Sequence, residues 1–527
     1  MLFVAATALV YFLFSGRKHQ WVVLLVSSYV FYLYTGYRYA AFLVITTLST
    51  YAVALWIDRI GKTGKQMLKD HKADWDKETK KACKEQIKRK KRWAAATALV
   101  LNLGILAFLK YYNFFAGSLA SLMGAQAPAL KLFLPLGISF YTFQSVGYVM
   151  DVYREKVAAE RNVLKVALFV SFFPQIVQGP ISFYDQLAHQ LYEPHRFDFT
   201  RLKHGGELIL WGFFKKLVIA DRAIIAINAV VDRYSSVEGG TLFFTVLLYA
   251  LQLYADFSGG IDISRGVAQI FGIHLTDNFR RPYFATSIND YWRRWHITLG
   301  AWMKEHVFYP IALSHGFAAF SKKIRQTRFG KTAAGQHVAK VLPTSIASLI
   351  VFLLVGVWHG ADWKYVAFGL WNGGVIMLST LLEPVFEHMA MRLHINVKSF
   401  GFRLFQMLRT FLVVLVGYVF DIAPDFYQAM YTFGHVFTSW NASASFAEIA
   451  QLGLHIKEFW LLGICTVLLL TVSIIQERHS ETTVRVLIDR KPFILRFVML
   501  FVGIMVLLIF GIYGPGYNPA EFVYMNF

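Results

Sequence analysis

Charge is scarce in this chain of 527 residues. Only 16% of them are Asp, Glu, Lys or Arg, against 56% hydrophobic and 17% aromatic. A water-soluble domain of that length needs far more charged surface, so the composition excludes one. Acids are scarcer than bases, 32 against 53, which leaves a formal net charge of +21. Cysteine is nearly absent. Cys83 and Cys465 lie far apart without a CxxC partner or metal-ligand spacing, so neither a disulfide nor a zinc framework is indicated. Also missing are a Walker loop, a GxSxG nucleophile elbow, an HExxH helix and paired glycines after a soluble strand. Transport driven by nucleotide hydrolysis and serine-hydrolase chemistry are therefore unsupported. The N-terminus has no basic n-region and no clear cleavage site, and is expected to be a retained membrane segment.

What the chain does have is long apolar runs, suited to a bilayer core about 30 Å thick. Spans are expected at 20–35, 39–57, 93–115, 131–150, 205–227, 241–257, 342–358, 363–383, 403–420, 458–475 and 493–513. Residues 2–14 are short for a span, and 161–180 and 425–440 are ambiguous. The expected fold class is an all-α polytopic membrane protein of roughly eleven to thirteen helices, in one membrane-embedded domain over 1–527. The positive charge does not point to nucleic acid, because no aromatic residues interleave a basic platform. It clusters in segments such as "RIGKTGKQMLKDHKADWDKETKKACKEQIKRKKR" (59–92), expected to be a cytoplasmic loop obeying the positive-inside rule. Contact with anionic headgroups is a secondary use of the same lysines. From that anchor, counting crossings makes 161–180 re-entrant around Pro174, Gly179 and Pro180. It makes 274–341 cytoplasmic or interfacial, and sets His296 and His359 on opposite sides of the membrane region.

Three stretches carry chemistry. In "SINDYWRRWHITLGAWMKEHVFYP" (287–310), a continuous helix would put Trp292, His296 and Gly300 on one face with Arg293 adjacent. An interfacial helix with Trp anchors and snorkelling arginines explains Trp295 and the arginines. For His296 that structural explanation and a ligand role are evenly matched, since the cluster also suits an anionic or thioester-bearing donor. In "YADFSGGIDISRG" (254–266), Asp256 and Asp262 adjoin a membrane run. Buried carboxylates there are costly, so pairing with arginines of 280–294 is expected ahead of catalysis. In "GVWHGADWKYVAFGLWNGG" (356–374), Gly356/Gly360 and Gly369/Gly373 have small-xxx-small spacing that permits close helix approach. His359 ends an apolar run there. A histidine at a membrane interface needs no function, yet Trp358 and Trp363 could have anchored the helix end alone. A neutral imidazole near pH 7 suits a general base for a hydroxyl attacking an acyl donor. No metal site is expected.

These stretches, with "KYYNFF" (110–115), "LPLGISFYTFQSVGYVMDVYR" (134–154), "FFPQIVQGPI" (172–181) and the ending "GIYGPGYNPAEFVYMNF", resemble the membrane-bound O-acyltransferase family, in its bacterial alginate O-acetyltransferase-like branch. The resemblance implies tilted helices around a central tunnel. It implies that His359 is catalytic and that His296 is the second important histidine. A donor and substrate tunnel would involve Trp292, Arg293, Asp290, Asn289 and Gly300, together with Trp358, Asn372, Asp256 and Gln144. Asn372 stands where that branch often has a histidine, and "IALSHG" (311–316) replaces a commoner Gly-Gly-Asn loop. The implied activity is acyl transfer, acetyl above all, from a cytoplasmic thioester to a hydroxyl of an extracellular polysaccharide or a partner protein. No bound cofactor is implied, with acetyl-CoA or another acyl thioester as donor substrate. The implied partners are membrane lipids, a polysaccharide-modifying protein and an acyl carrier protein, at a bacterial inner membrane. The alternatives are D-alanyl transfer to teichoic acid from a carrier protein and, in another class, a transporter or flippase without acyl chemistry.

Overall fold

A computed structural model describes residues 1–126, 128–132, 134–479, 481–514 and 517. Most of the C-terminal "GIYGPGYNPAEFVYMNF" stretch lies outside the described residues. The described chain is helical, and its only strand-like feature is an isolated bridge between Phe279 and Trp295. Among the described residues seven helices are long and apolar enough to cross a membrane, or eight if Trp363–Leu381 and Glu383–Arg392, bent by 55°, form one span. The larger expected count included runs that fold differently. The runs at 20–35 and 131–150 become the shorter helices Trp21–Thr35 and Ile138–Tyr153. The run at 205–227 is interrupted by a π-helix, Phe214–Ala220. At 161–180 the helix Val163–Ser171 breaks at Phe172, and Pro174 enters the next short helix, Phe173–Ile176.

The chain forms two compact units, Met1–Ile209 with Ser264–Thr276, and Leu210–Ile263 with Asp277–Phe527. In the first, the basic segment 59–92 is not a loop. Tyr37–Asp70 and Lys77–Leu122 continue through it as an antiparallel helix pair that turns only at residues 71–76. Lys, Arg, Glu and Gln are good helix formers, so dense charge here prolongs helices instead of ending them. Asp76 starts the second helix by accepting from Thr79 N at 2.9 Å. Ile87 packs onto Gly64, where an added Cβ would lie 2.5 Å from Ile87 Cδ1.

The second unit holds the histidine motifs. Ala333–His359 and Trp363–Leu381 form a tight antiparallel pair, and the glycine spacing is what lets them touch. A Cβ on Gly356 would lie 2.2 Å from the Tyr365 carbonyl oxygen, and one on Gly369 2.5 Å from that of Phe352. The glycines bring backbones together; they do not open space around His359. Gly374, one turn on, has nothing within 4 Å. Gly369→Ala should therefore cost about 1–3 kcal/mol, since overpacking must push two backbones apart. Gly374→Ala should be neutral or slightly stabilising through helix propensity. Thermal unfolding in detergent separates them; equal midpoints would show that the pair does not depend on this approach.

Candidate active site

His359 is the last residue of its helix, before Gly360 and the Asp362 cap that restarts the chain by accepting from Lys364 N at 2.8 Å. Only 7% of it is exposed. Its ring lies 5.0 Å from Phe368 and 5.3 Å from Trp358, centroid to centroid. With Trp292, Phe368, Asn372, Tyr291, Trp295, Leu253, Val414, Tyr418 and Asp421 it lines a cavity. That cavity is narrow. The space open to water centres is about 10 Å³, room for roughly one water.

The polar groups of this cavity form two networks. Trp292 Nε1 donates to Asn372 Oδ1 at 3.2 Å, while Asn372 Nδ2 donates to the Phe368 carbonyl at 2.9 Å. The amide is thus spent holding two aromatic walls in place. In the second network the hydroxyls of Tyr291 and Tyr418 are 2.7 Å apart, and Tyr283 reaches Tyr418 at 3.2 Å. Tyr249 donates to Asp421 Oδ2 at 2.7 Å, and Lys364 Nζ donates to the Asp421 and Ala423 carbonyls at 3.2 and 2.7 Å. A buried carboxylate and several tyrosyl hydroxyls therefore stand close to an imidazole in a largely apolar enclosure.

His296 lies nearby. Its ring packs 5.9 Å from the Trp358 indole, which also packs against His359. This overturns the expectation that the two histidines lie on opposite sides of the membrane region. The counting assumed that 274–341 stays at the surface. Instead its first part is short helices and turns tucked into the unit, with Asn278, Ile288, Tyr291, Trp295, His296 and Leu299 all buried. The expected continuous helix is also absent. Ile288–Arg294 stops, Trp295 bridges to Phe279, and His296 sits at φ 44°, ψ 53° before Ile297–Met303. A left-handed backbone at a residue other than glycine is uncommon and needs support from its surroundings.

Asn278 supplies that support. Its Oδ1 accepts from Thr298 N at 3.0 Å and Thr298 Oγ1 at 2.9 Å, and lies 3.2 Å from His296 Nδ1. An oxygen that only accepts requires the proton on Nδ1, which fixes the tautomer and leaves Nε2 with the lone pair. Phe257 packs edge-on against the ring at 4.8 Å. Burial, and then the charge that His359 would carry, push the His296 pKa down from 6.5 to about 3. It is neutral at physiological pH. Because the folded value is depressed, the neutral form is favoured by folding, and stability is lost as pH falls from 6.5 towards 3. Asn278→Ala removes the acceptor shared by His296 and Thr298, a loss of about 1–3 kcal/mol at neutral pH. Chemical denaturation should show it; an unchanged stability would mean that the clamp is not what holds the bend.

The other expected site residues are placed as follows. Trp292, Trp358 and Asn372 surround the histidines as described. Arg293 and Gly300 are exposed, because the break at Trp295–His296 turns them away. Asp290 accepts from Thr286 N at 3.2 Å and Arg294 Nε at 3.0 Å, and Asn289 is half-buried on the same short helix without lining the cavity. Asp256 does not pair with arginines of 280–294. Its partner is Lys216 at 2.5 Å, whose ammonium also reaches Asp221 at 2.7 Å, while Lys215 holds Asp262 at 2.7 Å. Both lysines lie on the π-helix, whose wider turn lets successive side chains point inward. Gln144 belongs to the first unit, where it donates to the Phe169 carbonyl at 2.8 Å and accepts from Gln175 at 3.0 Å.

Tyr291, Tyr418, Asp421 and Asn278 were not singled out from sequence. Two signals were available: Asp421 is a lone acid ending the apolar run "FLVVLVGYVFD", and Tyr291 lies inside the His296 stretch 287–310, whereas Asn278 precedes that stretch.

Comparison with known proteins agrees with this geometry. The family model for membrane-bound O-acyltransferases matches residues 155–324, which include the His296 motif. The probable alginate O-acetylase AlgI of Pseudomonas syringae pv. tomato is 29% identical over 434 residues, 80% of this chain and 71% of that one. Over these residues the chain is similar to the membrane-bound O-acyltransferase family. The peptidoglycan O-acetyltransferase of Helicobacter pylori is 31% identical over 366 residues, 64% of each chain. The teichoic acid D-alanyltransferase of Bacillus subtilis is 27% identical over 260 residues, 49% of this chain and 61% of that one. With these similarities and seven apolar helices of spanning length among the described residues, the protein is a multi-pass membrane O-acyltransferase. His359 lies beyond the matched residues, so its place beside His296 rests on the fold.

Proposed function

We propose that this O-acyltransferase moves an acetyl group from a cytoplasmic thioester to a hydroxyl of an extracellular polysaccharide, or of a partner protein that modifies one, at a bacterial inner membrane. The observation that carries this reading is His359 lining a narrow aromatic cavity, with His296 across the Trp358 indole. The O-acetylase and O-acetyltransferase activities for which the alginate and peptidoglycan relatives are named support an acetyl group and a polysaccharide acceptor. Acetyl-CoA or an acyl carrier protein would supply the thioester.

In this reading His359 takes the proton of the acceptor hydroxyl as its oxygen attacks the thioester carbonyl carbon. The C–O bond forms, the C–S bond breaks, and the proton passes from His359 to the departing sulfur, restoring the neutral imidazole. The hydroxyls of Tyr291 and Tyr418, with the Asp421 carboxylate, provide polar contacts that orient the acceptor. His296 acts through His359. Held neutral with its proton on Nδ1, it places no competing charge beside the base and keeps the Trp358 indole seated. A cavity that admits about one water limits hydrolysis of the donor. Acyl loading then requires the aromatic walls, Trp292 and Phe368, to part.

The test offers purified protein in liposomes labelled acetyl-CoA and, separately, a D-alanyl-loaded carrier protein, with a polysaccharide acceptor. Labelled acetyl ester on the acceptor supports the proposal. Transfer of D-alanine alone would favour the teichoic acid reading. Substrate crossing the bilayer unmodified, with no acyl release, would favour a transporter.

A further inference from the structure

The first unit contains a cavity that acyl transfer does not use. It lies on the charged extension of the helix pair Tyr37–Asp70 and Lys77–Leu122, near the end of Ile138–Tyr153. Its volume is about 340 Å³, and its lining includes Lys65, Lys84, Lys88, Lys91, Tyr153 and Glu155. We propose that it is a binding site for a phosphorylated anion, taken through the terminal phosphate or diphosphate.

The sequence spacing creates the charge. Lys84, Lys88 and Lys91 recur at i, i+4 and i+7, so they share one face of their helix, and Lys65 faces them from the other. Four lysines meet one glutamate, a formal net charge of +3 around one concavity. Like charges on one helix face repel, and nothing in helix formation calls for them. Glu155 moderates the repulsion, accepting from Lys65 at 2.6 Å and Lys91 at 2.9 Å. It does so from a left-handed backbone, φ 61°, that a residue other than glycine seldom adopts. The two hydrogen bonds hold its carboxyl below the usual carboxylate range.

Three features separate this from an ordinary solvated face. The Lys91 side chain is only 9% exposed and lies 5.6 Å over the Tyr153 ring, so one ammonium is fixed rather than mobile. Gly64 lets the two helices touch at Ile87, which sets the distance between the lysine rows. Gly61 lines the cavity beside both charged groups, for a Cβ there would lie 3.8 Å from Glu155 Oε1 and 4.0 Å from Lys91 Nζ, so a larger side chain would project into the site. Glu155 already shows how an anion is held, by two of the four lysines. A phosphate has three terminal oxygens and a larger charge, enough to engage Lys84 and Lys88 as well. Leu68, Ile87 and Tyr153 offer an apolar wall for whatever carries the phosphate. Both a lipid headgroup and a soluble phosphate ester have this chemistry.

The experiment uses the full chain in phosphatidylcholine nanodiscs at low ionic strength, since screening weakens exposed charge. One arm titrates inorganic pyrophosphate by calorimetry. The other counts phosphatidic acid retained on the protein by native mass spectrometry, from nanodiscs doped with it. Binding in the first arm points to a soluble phosphate, and binding in the second alone to a headgroup. Lys84→Gln with Lys88→Gln, both exposed, should weaken binding about tenfold or more. Gly61→Leu should abolish it, and Glu155→Gln should tighten it by removing the competing carboxylate. If neither probe binds, or if the double lysine variant binds as well as wild type while melting normally, the proposal is wrong.

Discussion

His359→Ala is expected to slow acyl transfer by about 10²- to 10⁴-fold, the range that a positioned general base contributes. The loss should fall on kcat and on kcat/KM together, because the proton is taken only as the hydroxyl attacks. Three properties of the position support so large an effect. The ring ends a helix, so the backbone can present it at the close of a long apolar segment. It is buried, with Phe368 and Trp358 fixing its faces. It lines the cavity with Tyr418 and Asp421, which could orient a hydroxyl. His359→Gln keeps a hydrogen-bonding group of similar reach without a base, so it should be nearly as inactive as the alanine variant. If the glutamine variant recovered most of the activity, His359 would be a positioning residue and not the base.

The second large effect is on stability. Lys216→Met should destabilise the protein by about 3–5 kcal/mol, the cost of leaving buried charge without its partner. Lys216 is 1% exposed and its ammonium is shared between Asp256 at 2.5 Å and Asp221 at 2.7 Å. Removing it takes from the Asp256 and Asp221 carboxylates the ammonium they share, while Tyr517 Oη still donates to Asp221 at 3.0 Å. The double variant Lys216→Met with Asp256→Asn should recover part of the loss, since the charge imbalance shrinks. Asp256 precedes Phe257, which packs against His296, so this pair also steadies the second histidine's surroundings. Unfolding in detergent measures the effect. A Lys216→Met protein as stable as wild type would show that the network is spectator charge.

How far the sequence reveals these features depends on what kind of interaction makes each one. Long apolar runs are a property of composition, and the helices at 39–70, 239–270, 333–359 and 400–422 lie where those runs are. The Gly356 and Gly369 contacts follow from spacing alone, because only a missing Cβ allows them. Crossing counts fared worse. They treat every stretch between apolar runs as surface, whereas Asn278, Ile288, Tyr291, Trp295 and His296 are buried by tertiary contacts that no local pattern encodes. The break at His296 was invisible for the same reason. Local propensity continues the helix through "DYWRRWHITLG", and it is the Phe279 bridge and the Asn278 clamp that stop it. Asp256 was expected to pair with arginines of 280–294 and pairs with Lys216 instead, because the π-helix that turns Lys216 inward has no sequence signature. Asp421 could have been flagged on cost alone, as a lone acid at the end of an apolar helix.

The central claim is that His296 and His359 serve one step, across the Trp358 indole, and are not two stations on opposite faces of the membrane. A double-mutant cycle in single-turnover acyl transfer tests it most directly. His296→Ala alone should slow transfer by a smaller factor than His359→Ala. Combined with His359→Ala it should add almost nothing, because groups that act through one another are strongly non-additive. Rate losses that multiply in the double variant would mean that the two histidines act independently, and would contradict this account.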